Sequence, residues 1–187
     1  MTLFTLTILS CKAQTIPLEQ QTNYLDNEIE IADGTYFKDV NNMLNKYEGT
    51  WIGTHNGMAY EFRIEKFTNH FLGISVDELR LRYKITDANG SIIEDTTSEP
   101  DDSNLIIKGD YLSETGSHYV LGFFTRNERC ELSASLYISV GYDNNPSKMK
   151  ANAIPNNDMG LVGGDPNCPN GDDLPLIPKE LVTLFKQ

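Results

Sequence analysis

The side chains best suited to chemistry in this chain are three histidines, three cysteines and 27 acidic residues, and their spacing limits what they can do. His55, His70 and His118 fall in no H-x-x-x-H or C-x-x-C pattern, so a zinc centre would have to be assembled from distant residues. Each reads as a solvent-facing polar residue: His55 beside a turn, His70 in a loop, His118 at a strand start. A Ser–His–Asp triad needs no sequence adjacency, but no serine occupies the Gly-x-Ser-x-Gly elbow of the hydrolases. Ser117 and His118 are neighbours, and successive strand residues point to opposite faces. Nothing singles out a pair of carboxylates for glycoside hydrolysis. Asp165, Asn167, Asn170, Asp172 and Asp173 offer oxygen ligands in one loop, yet Pro169 takes the third ligand position of a calcium loop. The pattern points away from catalysis, and no metal or cofactor is expected.

At 187 residues the chain suits one main domain with a real core. Its net charge of −12 excludes nucleic acid as a partner, since binding phosphates requires clustered Lys and Arg. Cys130 opens an expected strand, while Cys168 sits in a Gly/Pro-rich loop. In an oxidising compartment the two would pair, and a loop of that length would gain roughly 4 kcal/mol from the cross-link.

The elements that must position these residues are mostly strands. A short helix is expected first, with Asp39 as N-cap and Val40, Met43, Leu44 and Tyr47 on one face. From Gly49 the period changes to two. Met58, Tyr60, Phe62 and Ile64 alternate with polar residues after an Asn56–Gly57 turn, and Leu79, Leu81, Tyr83 and Ile85 do so before Asp87–Gly90. Further strands are expected at 91–95, 105–112, 118–125, 130–140, near 149–153, and at 180–186. Tyr119 to Phe124 is apolar on both faces, as in a strand covered on both sides or lining a cavity. About eight half-polar strands must hide their edges, which predicts an all-β antiparallel barrel or sandwich preceded by one short helix. Were the barrel hollow, Trp51, Tyr60, Tyr83, Tyr119 and Phe123 would line a site for a small apolar ligand.

Ile8-Leu9-Ser10-Cys11 ends an apolar run that starts at Met1. It resembles the processing site of bacterial lipoproteins, which places aliphatic residues three and two positions before the cysteine and a small one directly before it. The resemblance implies that residues 1–10 are a signal-peptide remnant and that Cys11 becomes the acylated first residue. Two or three acyl chains, at about 0.8 kcal/mol per buried CH₂, would hold the protein on a membrane permanently. Lys12 stands where an aspartate would retain the protein at the inner membrane, so the analogy favours the outer membrane. Residues 11–34 then read as a polar tether with a reach of about 25 Å, and residues 35–187 as the β-domain. No run of apolar residues is long enough for a transmembrane helix.

Gly49-Thr50-Trp51, following the expected helix and opening the first long strand, resembles the Gly-x-Trp signature of lipocalin-like barrels. There the tryptophan plugs the closed end, and an arginine from the end of the last strand packs on it. The corresponding position here carries Lys186. With Ser-Cys-Lys-Ala-Gln at 10–14 and a late Cys-bearing strand, the whole also resembles an uncharacterised family of small exported β-proteins from Bacteroidetes. That family has no assigned activity. The expectation is a monomeric, lipid-anchored, non-catalytic envelope protein whose partner is an envelope protein or a small apolar ligand. A carrier or an enzyme with a site assembled across strands are the alternatives.

Overall fold

The computed structural model describes residues 14–124, 133–156, 177 and 180–187. In chain order the strands are β1 (Thr15–Pro17), β2 (Tyr36–Lys38), β3 (Gly49–His55), β4 (Met58–Phe71), β5 (Ile74–Thr86), β6 (Ile92–Asp95), β7 (Ile107–Leu112), β8 (Tyr119–Phe124), β9 (Ser133–Val140), β10 (Lys148–Pro155) and β11 (Val182–Lys186), with a single-turn-and-a-half helix α1 (Gln21–Asp26) after β1. Eight of them, β3, β4, β5, β7, β8, β9, β10 and β11, form a closed antiparallel barrel. The ring is shut by Arg80 opposite Lys108 and Leu81 opposite Ile107, where β5 pairs β7. Closure leaves the ring without free edges.

The same edge of β5 serves three partners in turn. Parallel β2 takes Ser75 and Val76, β7 takes the middle, and β6 takes Lys84 to Thr86. The expected alternation is what fills the barrel. Trp51, Tyr60, Phe62, Ile64, Leu79, Leu81, Tyr83, Ile85, Tyr119, Leu136, Ile138, Met149 and Leu184 all point inward and are buried. Residues 55–58 turn β3 into β4 through Asn56 and Gly57, both at positive φ, as the Asn-Gly pair predicts. Strand directions put the ends Phe124, Ser133, Pro155 and Val182 at this same mouth of the barrel. Ile177 reaches the core from the connection that follows β10.

Two local expectations are corrected. Residues 39–48 form turns, not a helix, because Asn42 adopts φ +56 and interrupts any helical run. Asp39 still caps: its carboxylate accepts from Met43 N at 2.6 Å and Leu44 N at 3.1 Å. Leu44 and Tyr47 are buried, while Val40 faces solvent. The short helix is instead α1, within the stretch expected as a tether. From Thr15 onward that stretch is built into the domain, with Ile16 and Leu18 in the core and Thr15–Pro17 paired to Tyr36–Lys38. Its sparse apolar residues were enough, since a three-residue edge strand needs only one buried side chain.

Candidate functional site

The aromatic side chains that a cavity would need are used up in packing. Trp51 is fully buried, and Tyr60, Tyr83 and Tyr119 are no more than 2% exposed. A cavity of several hundred Å³ would leave its lining open to water-sized contact, so the barrel interior is filled among the described residues. The side chain of Phe123 lies outside the described residues. Tyr119 is anchored further, since its hydroxyl accepts from Leu79 N at 3.1 Å, and burial pushes its ionisation far above the usual phenol range. Burial does the same to Tyr47, whose ring lies 6.0 Å from that of Tyr119. Val120, on the opposite face of β8, is buried as well, so the doubly apolar run is a strand covered on both sides.

The closed end is built in two layers. Trp51 Nε1 donates to Tyr47 O at 2.7 Å, and Lys186 Nζ stands over the indole at 5.3 Å. Beyond this plug the inward positions of β4 turn polar. Lys66 Nζ reaches Asp39 Oδ2 at 3.3 Å and Asn45 Oδ1 at 3.0 Å. Asp77 accepts from Tyr36 Oη at 2.6 Å, Thr68 Oγ1 at 2.8 Å and Asp39 N at 3.0 Å. Burial alone would raise the Asp77 carboxyl, but Tyr36, the Asp39 N–H, Thr68 and the Lys66 charge hold it below the usual range. These groups satisfy one another, so the network closes the barrel rather than offering a ligand a vacancy.

At the closure seam a pair of acids behaves oppositely to Asp77. Continuing the β5–β7 register past Arg80 and Lys108 brings Glu78 and Asp110 together. Glu78 is 8% exposed; burial lifts its carboxyl to about 7, with Asp110 adding repulsion and Asn69 and Lys108 opposing. Asp110 is raised by burial too. Further along β5, Arg80 and Arg82 bridge Glu65 and Asp101: Arg80 contacts both at 2.8 Å, and Arg82 contacts Asp101 at 2.5 Å and also pairs with Glu65. This outer network ties β5 to β4 and to the connection that leads into β7.

The histidines stay apart. His55 Nε2 is 3.8 Å from Glu180, His70 Nδ1 is 3.0 Å from Ser75 Oγ, and His118 Nδ1 is 3.1 Å from Ser117 Oγ. His70 sits at the end of β4, not in a loop. The Ser117–His118 contact is also unlike the expectation: both precede β8, in a turn where strand alternation does not apply. Ser113 and Thr115 join them by hydroxyl contacts of 3.3 and 2.9 Å to Ser117. The pair borders an open cleft with Lys46 and Ser139, but among the described residues no carboxylate lies within ion-pair distance of the imidazole. No cluster of three metal-ligating side chains occurs among the described residues.

Cys11, Cys130 and Cys168 lie outside the described residues, as do Asp165, Asn167, Asn170, Asp172 and Asp173. What the sequence did not single out is on the outer wall. Ile52 of β3 and Phe185 of β11 are direct cross-strand partners and both are exposed, with Leu181 and Ile154 exposed on β11's approach and on β10. Their alternation was legible, but the face to which odd or even positions turn on so short a last strand was not.

No curated protein and no solved structure matches the chain. A family model does, over residues 1–158, and the chain belongs to that family, DUF6705, a family of unknown function.

Proposed function

We propose that the protein is a lipid-anchored, non-catalytic module of the bacterial envelope that binds another envelope protein with the outside of its barrel. The anchoring half rests on Ile8-Leu9-Ser10-Cys11 and on Lys12 after it. The binding half rests on one observation: among the described residues the inward aromatics Trp51, Tyr60, Tyr83 and Tyr119 are packed at 0–2% exposure. Recognition therefore falls to the surface. There the Ile52–Phe185 pair presents apolar area on the convex outer wall of the barrel, which suits a protein face better than a small molecule needing concavity.

Two measurements on the natively expressed protein separate this from a carrier. Organic extraction followed by mass spectrometry should release no stoichiometric apolar ligand. A photo-crosslinker at Phe185 should give one saturable protein adduct, lost on Ile52→Lys. A stoichiometric extracted ligand, or a crosslink indifferent to Ile52→Lys, refutes the reading.

A further inference from the structure

The long β4–β5 hairpin ends at the closed end of the barrel in Phe71, Leu72 and Gly73. Its two large side chains stand in solvent, Phe71 at 62% and Leu72 at 80% exposure, the latter the most exposed large apolar residue described. Leu72 also adopts φ +46. That left-handed conformation disfavours any residue with a branched or bulky side chain and is normally left to Gly or Asn. An asparagine at this tip would suit the solvent exposure and relieve the backbone. An exposed apolar side chain held on a disfavoured backbone marks a position set by something other than folding.

A second, independent observation says what lies there. The chain enters the domain beside this tip. Tyr36 N donates to Gln14 O at 2.8 Å, Ser75 N to Thr35 O at 2.9 Å, and Gly34 N to Gly73 O at 2.8 Å. Gln14 is therefore two strand spacings from the end of the hairpin, roughly 10 Å. Only Lys12 and Ala13 separate Gln14 from Cys11. Three residue steps span at most about 11 Å, so the ~25 Å reach expected of a tether is not there.

We propose that the Phe71–Leu72 tip inserts into the same lipid surface that holds Cys11, so that the closed end faces the membrane and the mouth faces away. The inference rests on the anchoring reading of Cys11. Two apolar side chains, fixed on a rigid hairpin within a short leash of the acyl chains, would meet the interface whenever the anchor is in place. The contact is apolar rather than electrostatic, because the neighbouring side chain at Gly73 is Asp33. Zwitterionic lipid should therefore suffice, and the net charge of −12 would oppose an anionic surface.

The test uses the full, natively lipidated chain carrying Leu72→Trp, reconstituted in phosphatidylcholine vesicles with plain or brominated acyl chains. The parent holds a single tryptophan, Trp51, buried in the barrel, and supplies the reference. For the variant, brominated lipid should lower emission by about half, one indole of two being in reach of the upper acyl region. Parent emission should not change. Intact mass and flotation are read on the same samples. A lipidated, floating variant with no quenching overturns tip insertion and leaves the anchor standing. A chain with unmodified Cys11 that fails to float overturns the anchor, and tip insertion with it.

Discussion

Lys186 Nζ stands 5.3 Å from the centre of the Trp51 ring, placing the last strand's final charge against the aromatic that plugs the closed end of the barrel. The arrangement explains Gly49. Its φ is +119, and a Cβ there would lie 3.0 Å from Lys186 Cε. A glycine lets the lysine stem cross the strand start and reach the indole. Gly49, Trp51 and Lys186 thus act as one clasp, in the place where the lipocalin resemblance implies an arginine.

Lys186→Ala should therefore loosen the closed end, with a loss of about 1 kcal/mol from the missing cation–π contact and the stem's packing. Lys186→Arg should hold stability at or above the parent value. Urea unfolding followed by Trp51 emission measures both.

The closure seam depends on Gly109. A Cβ there would fall 2.1 Å from Tyr119 Oη and 3.0 Å from Leu79 O. Gly109→Ala should cost roughly 2–3 kcal/mol by overpacking. Tyr119→Phe removes the clashing oxygen at the expense of the bond from Leu79 N. The double variant should then be more stable than the sum of the single losses, and a double-mutant cycle in urea reads the coupling.

Stability should also rise as the solution is made mildly acidic. Glu78 ionises near 7 in the folded chain against an ordinary 4.5, so between those values the folded state binds the extra proton. The stabilisation is complete below 4.5 and is lost as pH rises through 7. Asp77, held low, works the other way, and its contribution fades only as pH falls below the ordinary carboxylate range. The urea midpoint should thus be higher near pH 5 than near pH 8, and Glu78→Gln should stabilise the protein at the higher pH by roughly 1–3 kcal/mol. A variant with an unchanged pH profile would contradict the assignment.

Leu72→Asn should stabilise the fold by about 1 kcal/mol, since Asn tolerates the left-handed backbone that Leu does not. Thermal unfolding measures it. A destabilised Leu72→Asn chain would mean that Leu72 is held by packing.

The barrel itself was legible because period-two alternation, as in Leu79 to Ile85, records a wall with one wet face. The closing partner was not, since Arg80 opposite Lys108 is a like-charge pair that no pattern would nominate; Glu65 and Asp101 make it tolerable. Asp39 marks a cap but no helix, because a cap records orphan N–H groups and not how far the turn continues. The sparse apolar residues of 11–34 predict a tether, yet Ile16 and Leu18 are buried and tie the stretch from Thr15 onward to the domain. The alternation rule that would turn Ser117 and His118 apart holds only inside a strand, and both residues precede β8.

The most direct test of the account is fractionation of native membranes from cells expressing the parent chain and Cys11→Ser, with intact mass taken on both. Anchoring predicts a parent chain that begins at Cys11, carries diacylglycerol and sediments with the outer membrane, while Cys11→Ser is released. Equal membrane association of the two, or a parent that retains Met1, would contradict it.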